Sequence, residues 1–334
     1  MSLQAGFDPI EALPLMAICY DINCNTTGVK RSPNPSPPVE LPVPPKPGSF
    51  GWELSYDPGK VVFADNYWQL WKNTRVTGQY ALAFRGTTTN LDSIIEDVFA
   101  ELVPASLSFS GSTVRLAKDP MAHVHAGFVW GLAAMLVDNL LLKLEEFAIS
   151  EHMTDLFVIG HSQGAALATL CHSFLHYQDV RSNLKGKVNL KSYVFAQPKP
   201  GNKHYAYDYE LISSHSAKGY APMGFRITSD QDWVPQAPLS LQVPRNVSTP
   251  NPFSVPDFIN PTISKILHDI EDLNLAFDFQ SAGCPIILRA EPGANPKNPD
   301  DFFWQHHGQQ YYKYLKAQYG SQVADDSDAI TLAN

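Results

Sequence analysis

The chain has little positive charge, few cysteines and no long uninterrupted apolar run. Lys and Arg number 24 against 33 Asp and Glu, a net charge of −9, and the basic residues form no cluster. A nucleic-acid partner is not expected, because phosphate backbones are held by grouped Lys and Arg. The best apolar stretch, residues 129–144, is interrupted by Asp138, Asn139 and Lys143, so no transmembrane segment is expected. Only Cys19, Cys24, Cys171 and Cys284 occur, with no Cys-x-x-Cys among them. Zinc has little support on that basis. Cys19 and Cys24 are near enough in sequence to bridge, while Cys171 reads as a buried thiol. The N-terminus lacks the basic patch and apolar core of a secretory signal. Two compartments stay open: cytoplasmic, or secreted with the signal already removed.

What is present suits a large packed core. With 334 residues, 44% hydrophobic and 17% charged, one large domain or two small ones would fit. With no internal repeat or domain-splitting linker visible, a single domain over 1–334 is expected. Eight prolines between 33 and 47 make residues 30–50 an extended surface strap, since each ring fixes φ and removes a donor. A helix is predicted over 9–21. Strands are predicted over 63–73, 79–87, 155–160, 191–201 and 224–228. One helix is predicted over 128–147, where Phe128, Leu132, Met135, Leu136, Leu140, Leu144 and Phe147 recur at helical spacing, and another over 165–177. Strands alternating with helices predict a mostly parallel central sheet with helices on its faces.

The stretch FVIGHSQGAA, residues 157–166, sets Ser162 between Gly160 and Gly164, between a predicted strand and a predicted helix. With 26 serines and 20 glycines in the chain, about 0.09 such patterns would arise by accident, so context must decide. A strand feeding a helix through Gly-His-Ser-Gln-Gly makes a sharp turn that exposes the serine hydroxyl beside a helix N-terminus. Such a hydroxyl needs a base, and the base needs a carboxylate. For this turn the chain order is Ser, acid, His. Of eleven histidines, only His268, His306 and His307 follow a candidate acid. His268 falls in a predicted helix. His307, followed by small Gly308, is favoured, with His306 the alternate. The favoured acid is Asp232 in RITSDQDWVP, with Asp230 close by. For the oxyanion, the backbone N–H of Gln163 is one donor, and Thr87 in AFRGTTT supplies the other. This serine chemistry needs neither a metal nor an organic cofactor. Arg85 reads as a loop anchor, and His125 in AHVHAGF as a structural histidine lacking the partners of a metal ligand.

Taken together, GHSQG, FRGT, VHAGF and RITSDQDWVP resemble the class 3 lipases, the fungal-type triacylglycerol lipases, in that family's order over about residues 50–320. The resemblance implies an α/β-hydrolase fold, Ser162 as nucleophile, Asp232 as acid and Thr87 as oxyanion residue. It implies a lipid or other ester substrate, with transient contact at a lipid interface.

Leu91, Ile94, Ile95, Val98 and Phe99 form an apolar stripe that reads either as a lid over Ser162 or as a helix packed permanently on the core. The Pro-rich loop 236–262 is expected near the active site. The reading is therefore a serine hydrolase of lipid carboxylic esters, a triacylglycerol lipase first. A phospholipase A1 and a short-chain or feruloyl-type esterase are its rivals among enzymes. A non-catalytic lipid-binding protein on the same scaffold is the rival from another class.

Overall fold

A computed structural model describes residues 3–25, 41–62, 65–86, 101–109, 112–178, 184, 187–214, 221–238, 278–296, 298–299 and 301–331. Thr87, the apolar stripe at 88–99, His268, most of the loop 236–262 and residues 30–40 of the strap lie outside these.

The described chain opens with helix α1 (Pro9–Asn25), then β1 (Trp52–Tyr56), β2 (Trp68–Asn73) and β3 (Gln79–Phe84). Next come β4 (Leu102–Pro104), β5 (Ser106–Phe109), β6 (Ser112–Arg115) and β7 (His123–His125). Helices α2 (Ala126–Asp138) and α3 (Leu140–Ser150) lead into β8 (Asp155–His161), α4 (Gln163–Tyr177) and β9 (Asn189–Phe195). They are followed by β10 (Gly201–Asn202), α5 (Lys203–Ser213), β11 (Gly224–Ser229), β12 (Phe279–Gln280), β13 (Cys284–Leu288) and α6 (Gly308–Thr331).

Seven strands form the central sheet in the order β1-β2-β3-β8-β9-β11-β13. From β3 to β13 every pairing is parallel; the β1–β2 and β2–β3 pairings are antiparallel, so β2 alone runs against the rest. Alternation along the strands feeds two cores. Tyr80, Leu82, Phe84, Leu156 and Val158 pack beneath α2 to α5. Ala81, Ala83, Phe157, Ile159, Tyr193 and Phe195 pack beneath α1 and α6. β8 is buried along its whole length, as expected of a parallel strand covered on both faces. The small side chains of Ala81 and Ala83 let α1 lie close to the sheet. A second, antiparallel sheet, β12-β10-β7-β4, flanks the first.

Three predicted elements differ. The helix predicted over 128–147 breaks at Asn139 into α2 and α3, bent by 54°. There Asp138 pairs with Lys60 at 2.6 Å and Asn139 donates to the Tyr56 hydroxyl at 3.1 Å, so two polar side chains divert an apolar pattern. The strand predicted over 191–201 ends at Phe195, because Ala196 takes φ 54° and turns away. The strand predicted from 63 starts at Trp68, beyond Asp65 at φ 57°. All four cysteines are free thiols. Cys19 and Cys24 lie five residues apart on α1, a spacing that turns them to different sides of the helix. Among the described residues no single helix is long and apolar enough to cross a membrane.

Candidate active site

At the C-terminal end of the parallel strands, β8 runs into α4 through Ser162, which has φ 59° and ψ −132°. A non-glycine residue in this region costs about 1–3 kcal/mol and persists only where its surroundings impose it. Here they do. A Cβ on Gly160 would come 2.1 Å from the Gly164 carbonyl oxygen, and one on Gly164 would come 2.2 Å from that of Phe84. The two glycines thus serve the tight crossing of helix over strands, while the strained φ falls on the serine between them. Gly86, beyond β3, closes on the same turn: a Cβ there would lie 2.8 Å from the His161 oxygen. The Ser162 N–H donates to the Phe195 carbonyl at 3.0 Å, and the Gly86 N–H to Asn23 Oδ1 on α1 at 2.9 Å.

Beside the serine stands His306, not His307. Its Nε2 lies 2.8 Å from Ser162 Oγ, and its Nδ1 lies 2.8 Å from Asp232 Oδ2. With a carboxylate accepting at Nδ1, the ring proton sits there, and Nε2 is left to accept from the serine hydroxyl. Ser162 and His306 are buried, and Asp232 is 0% exposed. The second Asp232 oxygen accepts from the Val234 N–H at 3.0 Å.

His307, the favoured base of the sequence reading, turns outward and meets Asp301 at 3.0 Å. Burial alone would raise the Asp301 pKa, but hydrogen bonds from His307, Asn295 and the Phe303 N–H outweigh it and hold the carboxyl below its ordinary value. The small residue that made His307 attractive serves packing instead, since a Cβ on Gly308 would lie 3.1 Å from Met16 on α1. Asp230 also faces elsewhere, bonding Arg289 at 3.2 Å and the Ala290 N–H at 3.0 Å.

Two residues absent from the sequence reading complete the arrangement. The Tyr311 hydroxyl, on the first turn of α6, donates to Asp232 Oδ2 at 2.7 Å and accepts from the Ser229 N–H at 3.2 Å. His161 donates its Nε2–H to the His306 backbone carbonyl at 2.9 Å, and its ring meets Tyr311 edge-on at 5.5 Å. Burial, reinforced by the neighbouring His306, drives the His161 pKa well below 6.5. It is therefore a neutral donor, not a second base. Its position directly before the serine was the available signal; nothing local pointed to Tyr311.

Gln163 is the first residue of α4, and its N–H belongs to the end of the helix that favours negative charge. Its side-chain Nε2 donates to Asn66 Oδ1 at 3.2 Å. Arg85 is buried, with its guanidinium donating to the Asp65 carbonyl at 2.6 Å and lying 5.1 Å from the Tyr67 ring centre. It anchors the loop before β2. His125 is buried and stacks on Phe128 at 3.9 Å.

The lipase (class 3) family pattern matches residues 81–242. The secreted mono- and diacylglycerol lipase A of Penicillium cyclopium is 28% identical over 211 residues, 63% of this chain and 59% of that protein. The aligned region thus spans less than two thirds of that relative's length. The secreted mono- and diacylglycerol lipase MDL4 of Malassezia globosa is 30% identical over 106 residues, 32% of this chain and 31% of that protein. Among solved structures, the Lip2 lipase of Yarrowia lipolytica superposes with a TM-score of 0.50 at 20% identity, covering 71% of this chain and 77% of that one. That likeness is one of fold, the α/β-hydrolase fold, and agrees with the mostly parallel sheet described above. The region that matches the class 3 lipase family, residues 81–242, holds both Ser162 and Asp232.

Proposed function

We propose that the chain is a serine hydrolase of acylglycerol esters, a single α/β-hydrolase domain working through an acyl-enzyme. One observation carries the proposal: His306 lies 2.8 Å from both the Ser162 hydroxyl and the Asp232 carboxylate. In the proposed cycle Ser162 Oγ attacks the ester carbonyl carbon while His306 Nε2 takes its proton. Asp232 keeps the proton on Nδ1 and stabilises the imidazolium. The tetrahedral oxyanion is held by the Gln163 N–H and by Thr87, each donor worth about 3–4 kcal/mol. His306 then protonates the leaving alkoxide, and water returns through the same base to release the fatty acid.

The family match supports lipid esters, and the names of the Penicillium and Malassezia relatives favour mono- and diacylglycerols over the triacylglycerols that headed the sequence reading. Both relatives are secreted lipases, and secretion is included in the proposal. Contact with a lipid interface during turnover belongs to it as well. The test compares p-nitrophenyl esters of two to sixteen carbons with mono-, di- and triacylglycerols, for wild type and Ser162→Ala. Turnover on acylglycerols, abolished by the substitution, is expected. Equal turnover by both proteins would discard the nucleophile, and activity confined to acetyl esters would discard the lipid substrate.

A further inference from the structure

Gln163, whose backbone N–H is an oxyanion donor in the proposed cycle, is held from outside its own helix. Its side chain donates to Asn66 Oδ1 at 3.2 Å. Asn66 is 2% exposed and lies in the loop two residues before β2. Three contacts fix that loop. The Asn66 carbonyl accepts from the Val62 N–H at 3.0 Å, and the Tyr67 carbonyl accepts from the Arg85 N–H at 3.0 Å. The Asp65 carbonyl accepts from the Arg85 guanidinium at 2.6 Å. Arg85 leads directly into Gly86, which presses on the Ser162 turn. The loop is therefore tied to the end of β3 on one side and to the start of α4 on the other.

Room for this link comes from α2. A Cβ on Gly131 would stand 2.5 Å from Asn66 Nδ2 and 3.2 Å from Oδ1. Glycine in mid-helix is ordinarily unfavourable, and Gly131 is not at positive φ. Its missing side chain has a use: it leaves the Asn66 amide space to lie against α2 while meeting Gln163.

We propose that Asn66 is a positioning residue that acts through the Gln163 side chain, setting the Gln163 N–H for the oxyanion formed at Ser162. The inference rests on the hydrolase reading above. A small misplacement of a transition-state donor costs rate without weakening ground-state binding. Losing the link should therefore lower kcat and leave KM nearly unchanged.

The experiment is a double-mutant cycle with Asn66→Leu and Gln163→Met, assayed on a water-soluble p-nitrophenyl ester, with thermal unfolding followed in parallel. Gln163→Met keeps the backbone N–H and removes only the side-chain donor. Each single change is expected to lower kcat about 10- to 100-fold with KM within twofold. The double variant should be no slower than the slower single, because both break one link. Gly131→Ala, which alters neither partner, should reproduce the kcat loss although alanine suits a helix better. Losses that multiply in the double variant, or a KM rise at constant kcat, would overturn the proposal. If Asn66→Leu does not fold, unchanged kcat in both Gln163→Met and Gly131→Ala would overturn it equally. Labelling of wild type at Ser162 by a fluorophosphonate separates the two readings. An unlabelled, inactive wild type sinks the hydrolase assignment and this inference together, whereas a labelled, active wild type with an additive cycle sinks this inference alone.

Discussion

The turn at 160–164 and the tail at 303–311 bring adjoining groups to one site, yet their geometry is fixed in different ways. The turn is set by contacts of the sheet it leaves. Gly160 and Gly164 have no space for a Cβ, and Ser162 is left with φ 59°. The tail is set by partners far away in sequence: Met16 and Tyr20 beside Gly308, Asp232 at the Tyr311 hydroxyl, and His161 at the His306 carbonyl. A strand–turn–helix can thus be read from five residues, whereas the choice between two adjacent histidines depends on the whole molecule.

The largest effect should come from breaking the turn. Gly160→Ala places a Cβ 2.1 Å from backbone that has no freedom to move, so we expect loss of the cooperative thermal transition and of ester hydrolysis. A variant with wild-type melting temperature and activity would contradict the steric account.

In the tail, Tyr311→Phe removes a donor to the buried Asp232 carboxylate and leaves the Ser229 N–H without its acceptor. Lost hydrogen bonds to buried groups cost about 1–3 kcal/mol each. Chemical denaturation should show a loss of about 2–6 kcal/mol for the two together, and kcat should fall while the His306→Ala background shows no further fall. Unchanged stability would mean that Tyr311 does not support the acid.

The smallest effect concerns the joint between the two regions. His161 is buried and neutral, its pKa well below 6.5 through burial and the neighbouring His306. The unfolded chain therefore binds more protons below pH 6.5, and stability is present above that value and lost as pH falls. His161→Gln keeps a donor toward the His306 carbonyl without a titrating ring. Between pH 6.5 and 4.5 its stability should fall less than that of wild type, the gap growing by up to about 1.4 kcal/mol per pH unit. Parallel curves for the two proteins would exclude His161 as the source.

How much was legible follows the same division. The β8–α4 turn, the place of Asp232 after β11 and the parallel sheet could be read because each rests on local pattern: buried runs, glycine spacing and helical periodicity. His306 was passed over for His307 because Gly308 suggested local freedom, whereas its missing Cβ makes room for α1. Tyr311 and Asn66 escaped because nothing near them in sequence marks their partners, 79 and 97 residues away. The α2–α3 break escaped because Tyr56 and Lys60, which hold Asn139 and Asp138, lie in a different part of the chain.

The most direct test is kcat/KM of His306→Ala against His307→Ala on the same ester, with folding checked by thermal unfolding. Removing the base of such a triad costs about 10⁴-fold or more. The account predicts that loss for His306→Ala, with His307→Ala remaining within about tenfold of wild type once the Asp301 contact is gone. A collapse at His307 with activity preserved at His306 would contradict it.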